Sequence, residues 1–228
     1  MRFLPAFFAL PISLLAMTAC APIAPTESAR GLREPPRPLV YVALGASDAV
    51  GVGARRPETD GWVPRFGAAL GPGTRVVNLG VSGSTLAQAL DEQLGPALDA
   101  HPDVVTVWLA VNDLNARVPL ERYTADLDRL LGALEATHAR VLVGNVPDVG
   151  RLAAYAGHDP GPIRAEVIRW NQAIAATTAR HGARLVDLYA RWQELAEHPE
   201  YVSTDGFHPS SDGYARLAEL FHEALDGG

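Results

Sequence analysis

Five short apolar runs, each bounded by glycine, proline or a small polar residue, constrain this chain more than any other feature. They are residues 39–44, 75–79, 104–109, 140–143 and 183–186. Each is rich in β-branched residues, which is the pattern of a strand. Their apolarity is nearly continuous rather than alternating, so the strands are expected to be buried on both faces, as in a parallel sheet. Between them lie helical patterns over residues 84–100, 120–138, 162–181 and 210–225, with apolar positions such as Leu127, Leu130, Leu131 and Leu134. Proline opens the third pattern and Gly182 follows it, while Ser210 or Ser211 caps the fourth. Alternating strands and helices predict an α/β fold: a doubly wound α/β/α sandwich of about five mainly parallel strands. One domain over residues 39–228 is expected.

The N-terminus is a separate matter. After Met1-Arg2 comes a fifteen-residue apolar run, Phe3 to Met17, interrupted by Pro5 and Pro11. It is short for a membrane span and suits the core of a signal peptide, so residues 1–20 are read as a leader. The run ends Met17-Thr18-Ala19-Cys20, which looks like a bacterial lipobox with Cys20 as the lipidated residue, although leucine is usual where Met17 stands. An ordinary secretory signal cut after Ala19 or Ala21 is the other reading. Both predict export, either to the cell envelope as a lipoprotein or into the medium. Residues 21–38 hold five prolines and are read as an extended, semi-rigid tether.

Charge and cysteine content exclude several functions. The net charge of −7 becomes −8 once the leader takes Arg2 with it, which argues against broad attraction to nucleic acid or anionic lipid. A single cysteine can make neither an internal disulfide nor a thiolate-built zinc site.

In a sheet of this kind chemistry sits at the carboxyl ends of the strands. The reactive residue types fall there. Ser47 follows the first run on a glycine-bounded turn, Gly80 follows the second, Asn112 the third, and Asp205-Gly206-Phe207-His208-Pro209 lies in a loop before the last helix. A serine hydroxyl is a poor nucleophile without a base, and the base needs an orienting carboxylate. A tetrahedral intermediate needs donors aimed at its oxyanion. Ser47, His208 and Asp205, with donors from the Ser47 and Gly80 N–H groups and the Asn112 amide, supply one candidate for each part.

These four blocks, in this order and spanning residues 39–226, resemble the GDSL-type, or SGNH, hydrolase family. The resemblance implies a flavodoxin-like three-layer sandwich and a serine esterase or acylhydrolase that needs no metal or cofactor. It assigns Ser47 as nucleophile, His208 as general base and Asp205 as the third triad member. It assigns Ser47 N–H, Gly80 N–H and Asn112 to the oxyanion hole. Asn112-Asp113-Leu114, Tyr123-x-x-Asp126-Leu127 and Asp187-Leu188-Tyr189 are also family-like. Two positions depart from it: Ala46 stands where the family usually has Asp, with Asp48 beyond the serine, and Ala110 stands where it usually has Gly. The implied substrates are carboxylic esters: short-chain acyl esters, lysophospholipids or acetylated glycans. A neutral His208 base predicts activity rising through about pH 6 to 8. The alternative is a surface lipoprotein of the same fold that binds a ligand without turnover, which the altered serine block motivates.

Simpler readings compete at several positions. Acid-x-x-His occurs at Glu135/His138, Asp205/His208 and Glu219/His222, and the first and third fall within helical patterns, where this spacing makes an ordinary surface pair. Asp187 is read as a helix N-cap. Trp62 suits either an acyl pocket or core packing, and the loop over residues 146–161, with Tyr155, either one wall of the cleft or a lid over it.

Overall fold

The computed structural model describes Met1 and residues 37–227. Nearly all of the expected leader, Cys20 as the expected lipidation site, and nearly all of the expected tether lie outside the described residues. The compact unit begins at Arg37. Arg37 donates to the Asp103 carboxylate, which also accepts the Val40 N–H at 2.8 Å and so anchors the start of the first strand.

Strand β1 is Val40–Gly45, followed by helices α1 (Ser47–Val50), α2 (Pro57–Asp60) and α3 (Trp62–Ala69). Then come β2 (Arg75–Asn78), α4 (Leu86–Glu92), α5 (Leu94–Asp99), β3 (Val104–Trp108), α6 (Val111–Asn115), α7 (Leu120–Glu135) and β4 (Arg140–Gly144). Two 3-10 turns, Val149–Arg151 and Ala153–Tyr155, lead into α8 (Pro160–Arg180) and β5 (Arg184–Val186). The described chain closes with α9 (Trp192–Glu197), a 3-10 turn at Pro199–Tyr201 and α10 (Ser211–Asp226). The sheet runs β2-β1-β3-β4-β5 with every pairing parallel.

Side-chain alternation along β1 divides the core in two. Val40, Val42 and Leu44 join the cluster built on α4, α5, α7 and α8, whereas Tyr41 and Ala43 join the cluster built on α3 and α10. In the second cluster Trp62 stacks on Phe221 with ring centroids 4.4 Å apart and is wholly buried, so it is a core residue and not a pocket wall. Truncating either ring would leave a cavity costing about 3–5 kcal/mol.

Three expectations need correction. Strand β2 is largely exposed, not buried on both faces, because it is the sheet edge. The helix expected over 84–100 is two helices that meet at Gln93. Pro96 explains the break: it has no N–H to offer the carbonyl of Glu92, so one continuous helix would lose a bond and clash there. Asp187 heads a turn rather than a helix, its carboxylate accepting the Ala190 N–H at 3.0 Å and the Asn145 amide at 2.8 Å. Helices α1, α2, α3, α6 and α9 were not anticipated.

Candidate active site

Ser47 is positioned by the way β1 stops. The Gly45 N–H donates to Gln93 Oε1 and its carbonyl accepts from Gln93 Nε2, both at 3.0 Å. A Cβ on Gly45 would fall 2.6 Å from the Ala49 Cβ, so glycine is what lets the single turn of α1 fold back against its own strand. The Ala46 carbonyl accepts the Ala49 and Val50 N–H groups at 3.1 and 3.2 Å, and Gly51 ends the turn at φ 88°. Ser47 is thus the first residue of a helix, where a backbone N–H has no helical acceptor.

His208 arrives from a loop stiffened by its own acid. Asp205 Oδ1 accepts the Phe207 N–H at 2.8 Å, the His208 N–H at 2.9 Å and the Ser203 hydroxyl at 2.8 Å. Asp205 Oδ2 meets His208 Nδ1 at 2.6 Å, and His208 Nε2 meets Ser47 Oγ at 2.9 Å. The ring stands edge-on to Phe207, centroids 4.8 Å apart. Partial burial would raise the Asp205 carboxyl, but the bonds from His208, Phe207 and Ser203 outweigh it and hold the group well below the usual carboxylate range. The carboxylate therefore stays ionised beside the ring.

The other two blocks converge on the same strand ends. Asn112, in the first turn of α6, donates one amide hydrogen to the Ser84 carbonyl at 2.9 Å. A primary amide carries two hydrogens, so one remains for a substrate. Its neighbour Asp113 is buried and accepts the Leu86 N–H at 3.0 Å, tying α6 to the start of α4. Burial pushes the Asp113 carboxyl up to about 6. Gly80 differs from expectation. Its N–H donates to Asn78 Oδ1 at 3.0 Å, while Asn78 Nδ2 donates to the Ala49 carbonyl at 2.6 Å. A substrate oxyanion would have to share the Gly80 hydrogen with Asn78 or displace that oxygen. A Cβ at Gly80 would sit 2.6 Å from the Ala49 Cβ, so the close approach itself requires glycine.

The fold thus brings Ser47, His208 and Asp205 into one hydrogen-bonded line, with the Gly80 and Asn112 blocks at the neighbouring strand ends. Ala46 and Ala110, the two departures, are buried in one apolar cluster. Sequence reasoning missed Gln93, Asn78 and Ser203, which hold Gly45, Gly80 and Asp205 respectively. A buried glutamine or a strand-end asparagine carries no signal until its partner is known.

Two spaces adjoin the site. An open groove is lined by Leu114, Arg117, Tyr155, Ile163, Trp170 and Phe207. Tyr155 closes part of its wall by donating to Asn115 Oδ1 at 2.7 Å, and the Ala154 N–H meets the Gly206 carbonyl at 3.1 Å. The loop over residues 146–161 is therefore a wall that leans on the loop carrying His208. A smaller pocket of about 90 Å³ lies under that loop, with Asp48, Trp108, Val149, Leu188, Phe207 and Pro209 among its walls.

The sequence model described as the GDSL-like lipase/acylhydrolase family matches residues 43–216. An acetylxylan esterase of Geobacillus stearothermophilus is 24% identical over 156 residues, 65% of this chain and 71% of its own. A GDSL-like esterase of Mycobacterium tuberculosis is 28% identical over 209 residues, 86% of this chain and 64% of its own. A lipase/acylhydrolase from Enterococcus faecalis superposes with a TM-score of 0.68 at 21% identity, covering 83% of this chain and 96% of that one.

Proposed function

From the premise that this chain belongs to the GDSL-like lipase/acylhydrolase family and is a carboxylic ester hydrolase, we propose that it works through an acyl-serine intermediate on Ser47. The observation that carries the reading is the line Asp205–His208–Ser47, with contacts of 2.6 and 2.9 Å. His208 Nε2 takes the Ser47 proton as Oγ attacks the ester carbonyl. Asp205 holds the ring by Nδ1 and stabilises its positive charge. The oxyanion is met by the Ser47 N–H and the free Asn112 hydrogen, and by the Gly80 N–H once Asn78 yields it. His208 then returns the proton to the leaving alcohol. Water attacks the acyl-enzyme by the same route in reverse, releasing the acid and restoring Ser47.

The substrates in this reading are short-chain acyl esters, lysophospholipids or acetylated glycans. The groove beside the site supports a bulky group on one side of the ester, and likeness to an acetylxylan esterase supports the glycan arm. The leader, Cys20 and the proline-rich stretch over residues 21–38 support export and a lipid anchor that holds the domain near an envelope surface. Incorporation of a labelled fatty acid that vanishes in Cys20→Ser would establish the anchor, and an unlabelled parent would remove it. For the chemistry, hydrolysis of p-nitrophenyl esters from acetate to palmitate is compared between the parent and Ser47→Ala. Turnover lost in the variant establishes the nucleophile and its chain-length preference sizes the pocket. Turnover retained in Ser47→Ala overturns the mechanism.

A further inference from the structure

Asp48 is the residue next to the nucleophile, yet nothing in the hydrolytic scheme above uses it. It lies in the first turn of α1, with its side chain partly buried. Instead of facing solvent it forms part of the wall of the small pocket under the loop of residues 203–209. Phe207 and Pro209, the two chain neighbours of His208, belong to the same wall. The serine helix and the histidine loop therefore meet at the Ser47–His208 hydrogen bond and share the walls of this pocket, Asp48 coming from the one and Phe207 and Pro209 from the other.

Most of the other ionisable groups in or beside this pocket already have partners. From α10, the Arg216 guanidinium donates to Glu194, Glu219 and Glu223 at 2.8, 2.9 and 3.0 Å. From the entry to α9, Arg191 pairs with Glu194 and Glu223 at 3.5 and 3.7 Å. Tyr214 gives its hydroxyl to the Val52 carbonyl at 2.6 Å, and Tyr201 lines the pocket from the 3-10 turn. From the histidine loop come Asp205, whose oxygens are engaged by the loop itself, and His208. Burial pushes the Asp48 carboxyl up to about 6, and among the described residues the cation whose field draws it back down is His208. Asp205 acts in the opposite sense.

We infer that Asp48 is a positioning residue for ester hydrolysis, a second carboxylate that supports the imidazolium His208 becomes when it takes the Ser47 proton. Asp205 acts through a hydrogen bond to Nδ1, and Asp48 acts through space from the buried side of the loop. Most of the pocket's walls are apolar side chains, such as Trp108, Val149 and Leu188, which screen a charge less than water does. No bond to substrate is involved: the proton moves only from Ser47 Oγ to His208 Nε2. The inference rests on the reading of Ser47 as nucleophile and His208 as base. It also gives a role to the acid that follows the serine in a chain that has Ala46 before it.

The test uses the full chain and the variants Asp48→Asn and Asp48→Glu. The His208 ring is titrated by NMR in a Ser47→Ala background, which needs no turnover. The acid limb of kcat/KM is measured in parallel on p-nitrophenyl acetate with Ser47 present. Removing a nearby negative charge makes the ring harder to protonate, so Asp48→Asn is expected to lower the His208 midpoint by about one pH unit. The acid limb moves to lower pH with it, and the plateau falls roughly threefold because the base is weaker. Asp48→Glu keeps the charge and is expected to stay within about 0.3 pH units of the parent. A His208 midpoint that is unchanged, or raised, in Asp48→Asn overturns the inference. If Asp48→Asn does not fold, Asp48→Ser replaces it with the same expected shift. Turnover surviving in the Ser47→Ala background would instead sink the nucleophile reading, whatever the ring titration gives.

Discussion

Among the described residues, two histidines are gripped by both ring nitrogens, and they are nearly equally buried, with side chains 15% exposed at His181 and 16% at His208. His181, at the end of α8, meets Glu135 Oε1 through Nδ1 at 2.5 Å and Asp128 Oδ1 through Nε2 at 3.0 Å, both on α7. His208 meets a carboxylate through Nδ1 and a hydroxyl through Nε2. The difference lies in the second partner. Between two carboxylates, both nitrogens are asked to donate, so the ring is held as a cation and has no site for an incoming proton. Between a carboxylate and a hydroxyl, one nitrogen donates and the other accepts, which is the condition for a base. Burial and two hydrogen bonds alone do not separate a structural histidine from a reactive one.

The largest effect that could break this contrast is on turnover. His208→Ala and Ser47→Ala are each expected to cut kcat by about 10⁴- to 10⁶-fold with little change in melting temperature. His181→Ala is expected to leave kcat where it was. A comparable loss of kcat in all three variants would erase the distinction. Asp205→Asn should come next, at about 10³- to 10⁴-fold, because it keeps the loop's shape but no longer stabilises the charged ring. A loss equal to that of Ser47→Ala would assign Asp205 more than orientation.

The smaller effects fall on stability. His181→Ala removes a clasp between α7 and α8, and with its carboxylates about half exposed a loss of roughly 1 kcal/mol is expected, read as a drop of about 2–4 °C in melting temperature. The subtlest test is how that drop depends on pH. Burial works against the charge on His181, but the bonds to Asp128 and Glu135 prevail and hold the ring above its ordinary value. A group raised on folding contributes fully below its unfolded value, near 6.5, and loses that contribution as pH climbs through the folded one. The gap between parent and His181→Ala should therefore be wider at pH 6 than at pH 9. A gap that widens toward pH 9 would mean His181 is not held as a cation.

The same comparison shows what could be read from the chain. Acid-x-x-His recurs at Glu135/His138, Asp205/His208 and Glu219/His222. Of these, the loop example makes its internal pair, at 2.6 Å. Glu135 turns to His181, Glu219 to Arg216, and His222 to Asp226. Local context was enough to single out residues 205–208, because glycine and proline marked a loop. It was not enough to find the His181 clasp, whose partners lie 46 and 53 residues away. The number of strands, their parallel pairing and the two-sided core followed from the apolar runs, with the exposed edge strand β2 as the exception. The break at Gln93 was legible in principle, since Pro96 lies within the expected helix, but the use made of it was not: Gln93 bonds twice to Gly45, 48 residues distant. The commitment of the Gly80 N–H to Asn78 escaped for a related reason: backbone position can be inferred from spacing, but the competitor for a hydrogen cannot.

The hydroxyl–imidazole contact joins residues 161 apart in the chain. Ser47 lies near the start of the domain and His208 just before its last helix. Contacts of such long range form late, after the entropy of closing the intervening chain has been met by other structure. During synthesis Ser47 emerges long before its base exists. A chain stopped anywhere short of residue 208 carries the serine turn but not the means to activate it. Turnover is therefore a report of completed folding: in a refolding experiment, catalytic recovery should trail the return of helical signal, and the enzyme stays silent until its own C-terminal quarter is in place.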